Sequence, residues 1–184
     1  AASGQSLHMI AKKTNGSIYG WGRNEYGQIG FSNTTLVSWT QIAGSNQHTI
    51  ALKSNGTLWG WGVNTSGPLG LNDAVSRNSP VQLDTTNSYI QIAAGGYDSP
   101  FSFFIRSDKT LWGTGYNVYG SLADNSNITK SSPVQIPGSW NSITAGYSWH
   151  VAAVSSNGTL WSWGNNTNYT LGDGTTINRS SPVQ

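Results

Sequence analysis

His8, His48 and His150 are the residues of this chain whose type and spacing first bear on chemistry. An imidazole can ligate a metal or move a proton near neutral pH. Each of the three stands eight residues before a copy of one repeated segment, and in the remaining copy Phe101 takes the place. A repeat holds equivalent residues apart in space, and a phenyl ring fills the position without ligation. The pattern is that of a buried imidazole bonding the backbone of its own repeat, with no metal site. The acid–base inventory is thin. There is one glutamate, Glu25, and six aspartates, and no two carboxylates recur at a spacing suited to an acid/base pair. The chain has no cysteine, no Gly-x-Ser-x-Gly elbow and no phosphate-cradling glycine loop. No residue is assigned a catalytic role, no cofactor is expected, and the chain does not read as an enzyme. Asp124–Asn127 and Asp173–Thr176 look like pieces of calcium loops. They fall at the same point of two repeats, where Asx turns account for them.

The composition says what kind of scaffold must carry these residues. Of 184 residues only 9% are charged, against about 25% in ordinary globular chains, and the net charge is +2. No basic run exceeds Lys12-Lys13, so nucleic acid is not an expected partner. No stretch approaches the length of apolar residues that crosses a membrane, and Ala1-Ala2-Ser3-Gly4 shows neither the charge nor the apolar run of a signal peptide. Gly (23), Ser (26), Thr (18) and Asn (18) supply solubility, while nine Trp, eight Tyr and four Phe supply matter for a core. Disordered chains lack those rings. Many short strands joined by turns fit both facts.

The strands are visible in a fourfold repeat. Gly56-Thr57-Leu58-Trp59-Gly60-Trp61-Gly62 recurs as Gly16–Gly22, Lys109–Gly115 and Gly158–Gly164, at offsets of 40, 53 and 49 residues. Asn24, Asn64, Asn117 and Asn166 follow each copy, and Ser-Pro-Val-Gln closes three of the four repeats at Gln82, Gln135 and Gln184. His48–Leu52 alternates its larger apolar groups, Asn55-Gly56 marks a hairpin, and Thr57–Gly62 puts Trp59 and Trp61 on one face. Small antiparallel sheets repeated at this period are propeller blades stacked face to face. Trp21, Trp59, Trp61, Trp112, Trp161 and Trp163, with His8, His48 and His150, are then structural residues between blades. The chain divides into one repeat domain, 1–184, with repeats at about 1–40, 41–90, 91–141 and 142–184.

Ala-Gly-x-x-x-His, Gly-Thr-Leu-Trp-Gly-Trp-Gly and Asn-x-x-Gly-x-Leu-Gly (Asn64–Gly70, and Asn24–Gly30 with Ile29) together resemble the repeat of the regulator of chromosome condensation family, in four copies over nearly the whole chain. The resemblance implies an all-β, RCC1-like β-propeller. Complete propellers of the family usually have more blades than four. Either four blades close on themselves, or these repeats belong to a larger ring completed by further repeats or by other copies. Two apolar faces left open by an arc of four favour the larger ring. The family holds a nuclear exchange factor for a small GTPase and a secreted β-lactamase inhibitor, so membership leaves activity open.

What varies between repeats marks the candidate binding surface. The loop between the Gly and the His carries Gln5-Ser6-Leu7, Ser45-Asn46-Gln47, Tyr97-Asp98-Ser99-Pro100 and Tyr147-Ser148-Trp149. These loops share one rim, and Tyr97, Asp98, Tyr147 and Trp149 are its partner-binding candidates. Packing of the three rings on neighbouring blades is the competing reading. A second loop set, with Arg23, Glu25 and Tyr26, then Tyr116, Val118 and Tyr119, then Asn165, Thr167 and Tyr169, is placed at another corner. The expectation is a non-catalytic interaction module that binds a protein or a glycan, in an extracellular or virion setting of bacterial or phage origin. The alternative is a guanine-nucleotide exchange regulator of a small GTPase.

Overall fold

The computed structural model describes residues 8–14, 18–22, 27 and 38–184 of the chain. Among them every regular element is a strand. β1 (His8–Lys12) and β2 (Ile18–Gly22) form an antiparallel hairpin, the described part of the first blade. The second blade is β3 (Trp39–Gly44), β4 (His48–Lys53), β5 (Leu58–Gly62) and β6 (Arg77–Gln82). The third is β7 (Tyr89–Gly95), β8 (Phe101–Arg106), β9 (Leu111–Gly115) and β10 (Lys130–Ile136). The fourth is β11 (Trp140–Ala145), β12 (His150–Ser155), β13 (Leu160–Gly164) and β14 (Arg179–Val183). In each, the strands pair antiparallel in sequence order from one edge to the other. The result is an arc of a β-propeller, as the repeat requires.

The turn between the two central strands is not a two-residue Asn-Gly turn. The Gly56 N–H donates to the Lys53 carbonyl at 2.9 Å, the Lys53 N–H donates to the Thr57 carbonyl at 3.0 Å, and of Asn55-Gly56 only the glycine has positive φ, at 80°. That is a type I turn closed by one left-handed residue, a three-residue loop. Gly158 (φ 86°) and, without the help of a missing side chain, Lys109 (φ 69°) close the equivalent turns.

Alternation along the strands builds the core between blades. Ile50, Leu52 and Leu58 of the second blade pack with Tyr89, Ile92 and Phe104 of the third. Phe101, Phe103, Ile105 and Leu111, on the other face of the third blade, pack with Trp140, Ile143, Val151 and Trp163 of the fourth. Trp39, Ala51 and Trp61 meet Ile10 of the first hairpin. Trp61 and Trp163 are fully buried. Trp59, Trp112 and Trp161 are only half-buried, because they sit beside the turn at the margin of the interface, where each indole Nε1–H donates to the hydroxyl of Thr57, Thr110 or Thr159. Trp21 is 50% exposed. It pairs with Met9 across the hairpin, on the face opposite Ile10, and so points away from the second blade.

Two devices set the spacing between blades. A Cβ added to Gly27, Gly67 or Gly120 would lie 2.5, 2.4 or 2.5 Å from the Cα of Asn78, Ser131 or Ser180 in the edge strand of the following blade. The Gln41 amide donates to the Ile90 carbonyl at 2.7 Å and accepts from Ile92 N–H at 3.2 Å; that of Gln91 donates to the Ile143 carbonyl at 3.5 Å and accepts from Ile143 N–H at 3.2 Å. The fourth blade has neither device. Tyr169, 67% exposed and at φ 58°, occupies the glycine position, three residues after Asn166. Ser142 occupies the glutamine position by its register with Val154.

Candidate functional site: an aromatic rim

Each loop that follows a Trp strand in the second to fourth blades is shaped by a buried asparagine. The Asn117 side-chain oxygen accepts from Leu122 N–H at 2.8 Å, and its NH2 donates to Asp124 Oδ1 at 3.0 Å and to the Ile128 carbonyl at 3.2 Å. Asn64 with Leu69 and Asp73, and Asn166 with Leu171 and Asp173, repeat the bracket. The aspartate is then paired with Arg77, Lys130 or Arg179 at 2.7, 3.4 and 2.7 Å. Asp124 and Asp173 also accept from the backbone two residues on, at Ser126 and Thr175, which is the Asx turn expected for them. The hydrogen bond from Arg179 holds the Asp173 carboxyl well below the ordinary carboxylate range, as that from Arg77 lowers Asp73. At Asp124 burial opposes ionisation, yet the bonds from Ser126 and Asn117, with Lys130, outweigh it and lower the pKa. The asparagine is legible in the sequence. Its aspartate and cation are what sequence reasoning misses, although an aspartate nine or seven residues after each of these asparagines is the available signal.

The two histidines whose side chains are described, His48 and His150, are not held by the backbone of their own blades. His48 is buried, with Nδ1 2.6 Å from Ser45 Oγ and Nε2 2.7 Å from Ser102 Oγ of the next blade, so both ring nitrogens are taken by hydroxyls and the imidazole bridges two blades. His150 has Tyr147 where His48 has Ser45, and its Nδ1 is buried without a partner. Burial lowers its pKa from the ordinary 6.5. The side chain of His8 lies outside the described residues, as do Gln5-Ser6-Leu7 and Arg23, Glu25 and Tyr26.

On the rim, the loops of the third and fourth blades come together. Tyr97 and Tyr147, 40% and 39% exposed, stack with centroids 4.8 Å apart, and Asp98 beside them is exposed. Trp149 is half-buried rather than free. Its Nε1–H donates to the Ser99 carbonyl at 3.0 Å, and its carbonyl accepts from Ser121 Oγ at 2.7 Å and Asn165 N–H at 3.0 Å. Its backbone is left-handed, φ 61°, a costly state for a bulky residue that those bonds hold in place. Tyr116 and Tyr119 meet the Trp149 ring at centroid distances of 6.1 and 5.2 Å. The second loop set therefore does not occupy a separate corner in the third blade. It joins the first, because Trp149 folds across the space between the two. The rings stand in two groups, Tyr97 with Tyr147 and Tyr116 and Tyr119 about Trp149, and the Trp149 bond to the Ser99 carbonyl ties the second group to the loop of the first. Partial burial, then the neighbouring Tyr97 and Asp98, raise the Tyr147 phenol above its ordinary 10.0, and partial burial with Tyr119 raises Tyr116. Both hydroxyls are neutral near pH 7 and available as donors and acceptors.

The family model for the regulator of chromosome condensation (RCC1) repeat matches residues 55–99 and 157–184, and a second model of the same repeat matches 2–28, 39–67 and 140–169. A comparison with curated protein sequences finds no match. Among solved structures, that of human WBSCR16 superimposes with a TM-score of 0.81 at 21% identity, over 96% of this chain and 49% of that one. Yeast RCC1 (Prp20), in its complex with Kap60, gives 0.77 at 22% identity over 96% of this chain and 46% of that chain. Prp20p of Saccharomyces cerevisiae, whose structure was described with its binding to Gsp1p and histones, gives 0.76 at 22% over 96% and 48%. At these identities the likeness is one of fold, and the chain spans about half the length of each neighbour. With both repeat models together matching most of its length and its blades matching these propellers, the chain belongs to the regulator of chromosome condensation (RCC1) repeat family.

Proposed function

We propose that this domain is a non-catalytic interaction module that holds a protein partner on the aromatic rim of its third and fourth blades. The observation that carries the proposal is the pairing of Tyr97 with Tyr147 beside the packing of Tyr116 and Tyr119 on Trp149, at positions where the second blade carries Ser45, Asn46 and Gln47 in one loop and Val63 and Ser66 in the other. The scaffold does not need those rings, since the second blade folds without them. Tyrosine offers large contact area with few rotors to freeze, and a preformed cluster has little ordering left to do on binding. Asp98 adds a charge able to bond a donor of the partner. A bacterial or phage protein exposed outside the cytosol, on a surface or in a virion, is the setting that the Asn/Ser/Thr/Gly-rich, weakly charged composition supports. Regulation of a small GTPase is the second reading, supported by the fold shared with Prp20p; release of bound nucleotide from candidate GTPases on addition of the domain tests it.

A photo-crosslinking amino acid at position 147 identifies the partner, and Tyr97→Ala/Tyr147→Ala then measures the surface. Trp149 stays intact, because it ties three loops together. The double variant is expected to lose at least about 2 kcal/mol of binding while its unfolding midpoint moves little. Unchanged affinity for the crosslinked partner refutes the rim.

A further inference from the structure

At four equivalent places, six residues before a motif ring, the chain carries Lys13, Lys53, Arg106 and Ser155. In the first three the cation lies over that ring. Lys13 Nζ is 4.3 Å from the Tyr19 centroid, Lys53 Nζ is 3.6 Å from that of Trp59, and the Arg106 guanidinium carbon is 4.0 Å from that of Trp112. Lys53 is also 5.0 Å from the Trp39 ring, so it sits in a cradle of two indoles whose centroids are 6.1 Å apart at 81°.

The fourth blade builds the same cradle and leaves out the cation. Trp140 and Trp161 stand 6.5 Å apart, again at 81°. Trp161 is aimed as Trp59 and Trp112 are, by donation of its Nε1–H to the hydroxyl of Thr159, at 2.8 Å. Ser155 pairs with Trp140 in the register that puts Lys53 opposite Trp39. Its short side chain turns to Asn157 and Thr159 instead of covering the indole. A cavity of about 480 Å³ remains, lined by Trp140, Trp161, Pro137 and Pro182 and by no charged residue. The nearby Lys109 ammonium bonds Asn141 Oδ1 at 3.2 Å. The site lies at the turn end of β12 and β13, the opposite end from the rim.

We infer that the Trp140–Trp161 cradle receives a cation from outside, the lysine or arginine side chain of a protein partner. The occupants of the other three repeats say which chemistry fits: a flat indole face draws an ammonium or guanidinium, most strongly where water is excluded. The cradle is ready-made, with Trp161 held by its bond to Thr159 and Trp140 fixed by burial and packing, so an incoming side chain has only its own freedom to lose.

The test uses Nα-acetyl-lysine N-methylamide and its uncharged norleucine counterpart as probes, read on the Trp161 indole N–H resonance by NMR. The lysine probe is expected to give a saturable shift, with the norleucine probe weaker by about ten-fold. Ser155→Lys places a cation in the cradle as Lys53 does in the second blade, so the variant is expected to fold and to weaken the lysine probe by about ten-fold or more. Tyr97→Ala/Tyr147→Ala leaves the shift unaltered, which keeps this site separate from the rim. Equal binding of the two probes, absence of a saturable shift, or undiminished binding to Ser155→Lys overturns the inference.

Discussion

At His48 both imidazole nitrogens meet serine hydroxyls, whereas Tyr147 deprives His150 of the first of these and leaves its Nδ1 buried and unpartnered. Burial favours the neutral ring, so the folded-state pKa lies below 6.5. Folding stability from this group is complete above 6.5 and is lost as pH falls through and below it, since the unfolded chain binds the proton more readily. Thermal melts between about pH 7.5 and about 5 are expected to show that loss, and His150→Phe, which copies Phe101 of the third blade, to flatten it. A slope that survives the substitution assigns the effect elsewhere. The tryptophans divide in the same way by environment. Trp61, fully buried, is expected to cost roughly 3–5 kcal/mol when cut to alanine. Trp59, at the margin under Lys53, is expected to cost less than about half of that. Denaturant unfolding of the two variants checks the difference.

The loops owe their shape to single buried side chains rather than to regular pairing. Asn117→Ala removes the acceptor of Leu122 N–H and the donor to the Ile128 carbonyl and the Asp124 carboxylate together, and leaves the two backbone groups without replacement. A loss of roughly 2–3 kcal/mol is expected, against almost none for Asn127→Ala on the exposed side of the same loop. Chemical denaturation compares them, and similar losses for both refute the bracket. Strands, their order and the blade stacking were legible from alternation and repeat spacing, because those properties belong to local pattern. The hairpin turns of the second and fourth blades fell at the Asn-Gly pairs, but their geometry was not legible, since Asn-Gly is compatible with more than one loop and the twist of the paired strands decides between them. Half-burial of Trp59, Trp112 and Trp161 was hidden for a related reason: period-2 alternation gives the face of a strand, not how far along the interface a ring lies. Tyr97 and Tyr147 fell on the rim, and Asp98 stands exposed beside them. Tyr116 and Tyr119 meet the first loop set through Trp149, whose left-handed backbone nothing in its sequence neighbours announces.

As a whole the molecule is a stack in which each sheet touches only its neighbours, so stability is distributed by position in the stack. β8 at the middle is buried on both faces. Among the described side chains of the first hairpin, Met9 and Trp21 point outward and Ile10 packs against the second blade. Hydrogen exchange is expected to release β1 and β2 first and β8 last; equal protection of the hairpin and the centre contradicts a stack of this kind. Tyr169 and Ser142 have a bearing on the same stack. Gly27, Gly67 and Gly120 let an edge strand approach the loop more closely than any Cβ would allow, and Gln41 and Gln91 reach across to tie the inner strands. A sheet set against the fourth blade meets a phenol-bearing Cβ in the first place and a hydroxyl too short to span the gap in the second. The joint there has to be a seam of different offset from the three within the chain, and the repeats are not interchangeable beads. The second and third could be duplicated in tandem without conflict, while the fourth fits only where its far side is not asked to repeat the pattern.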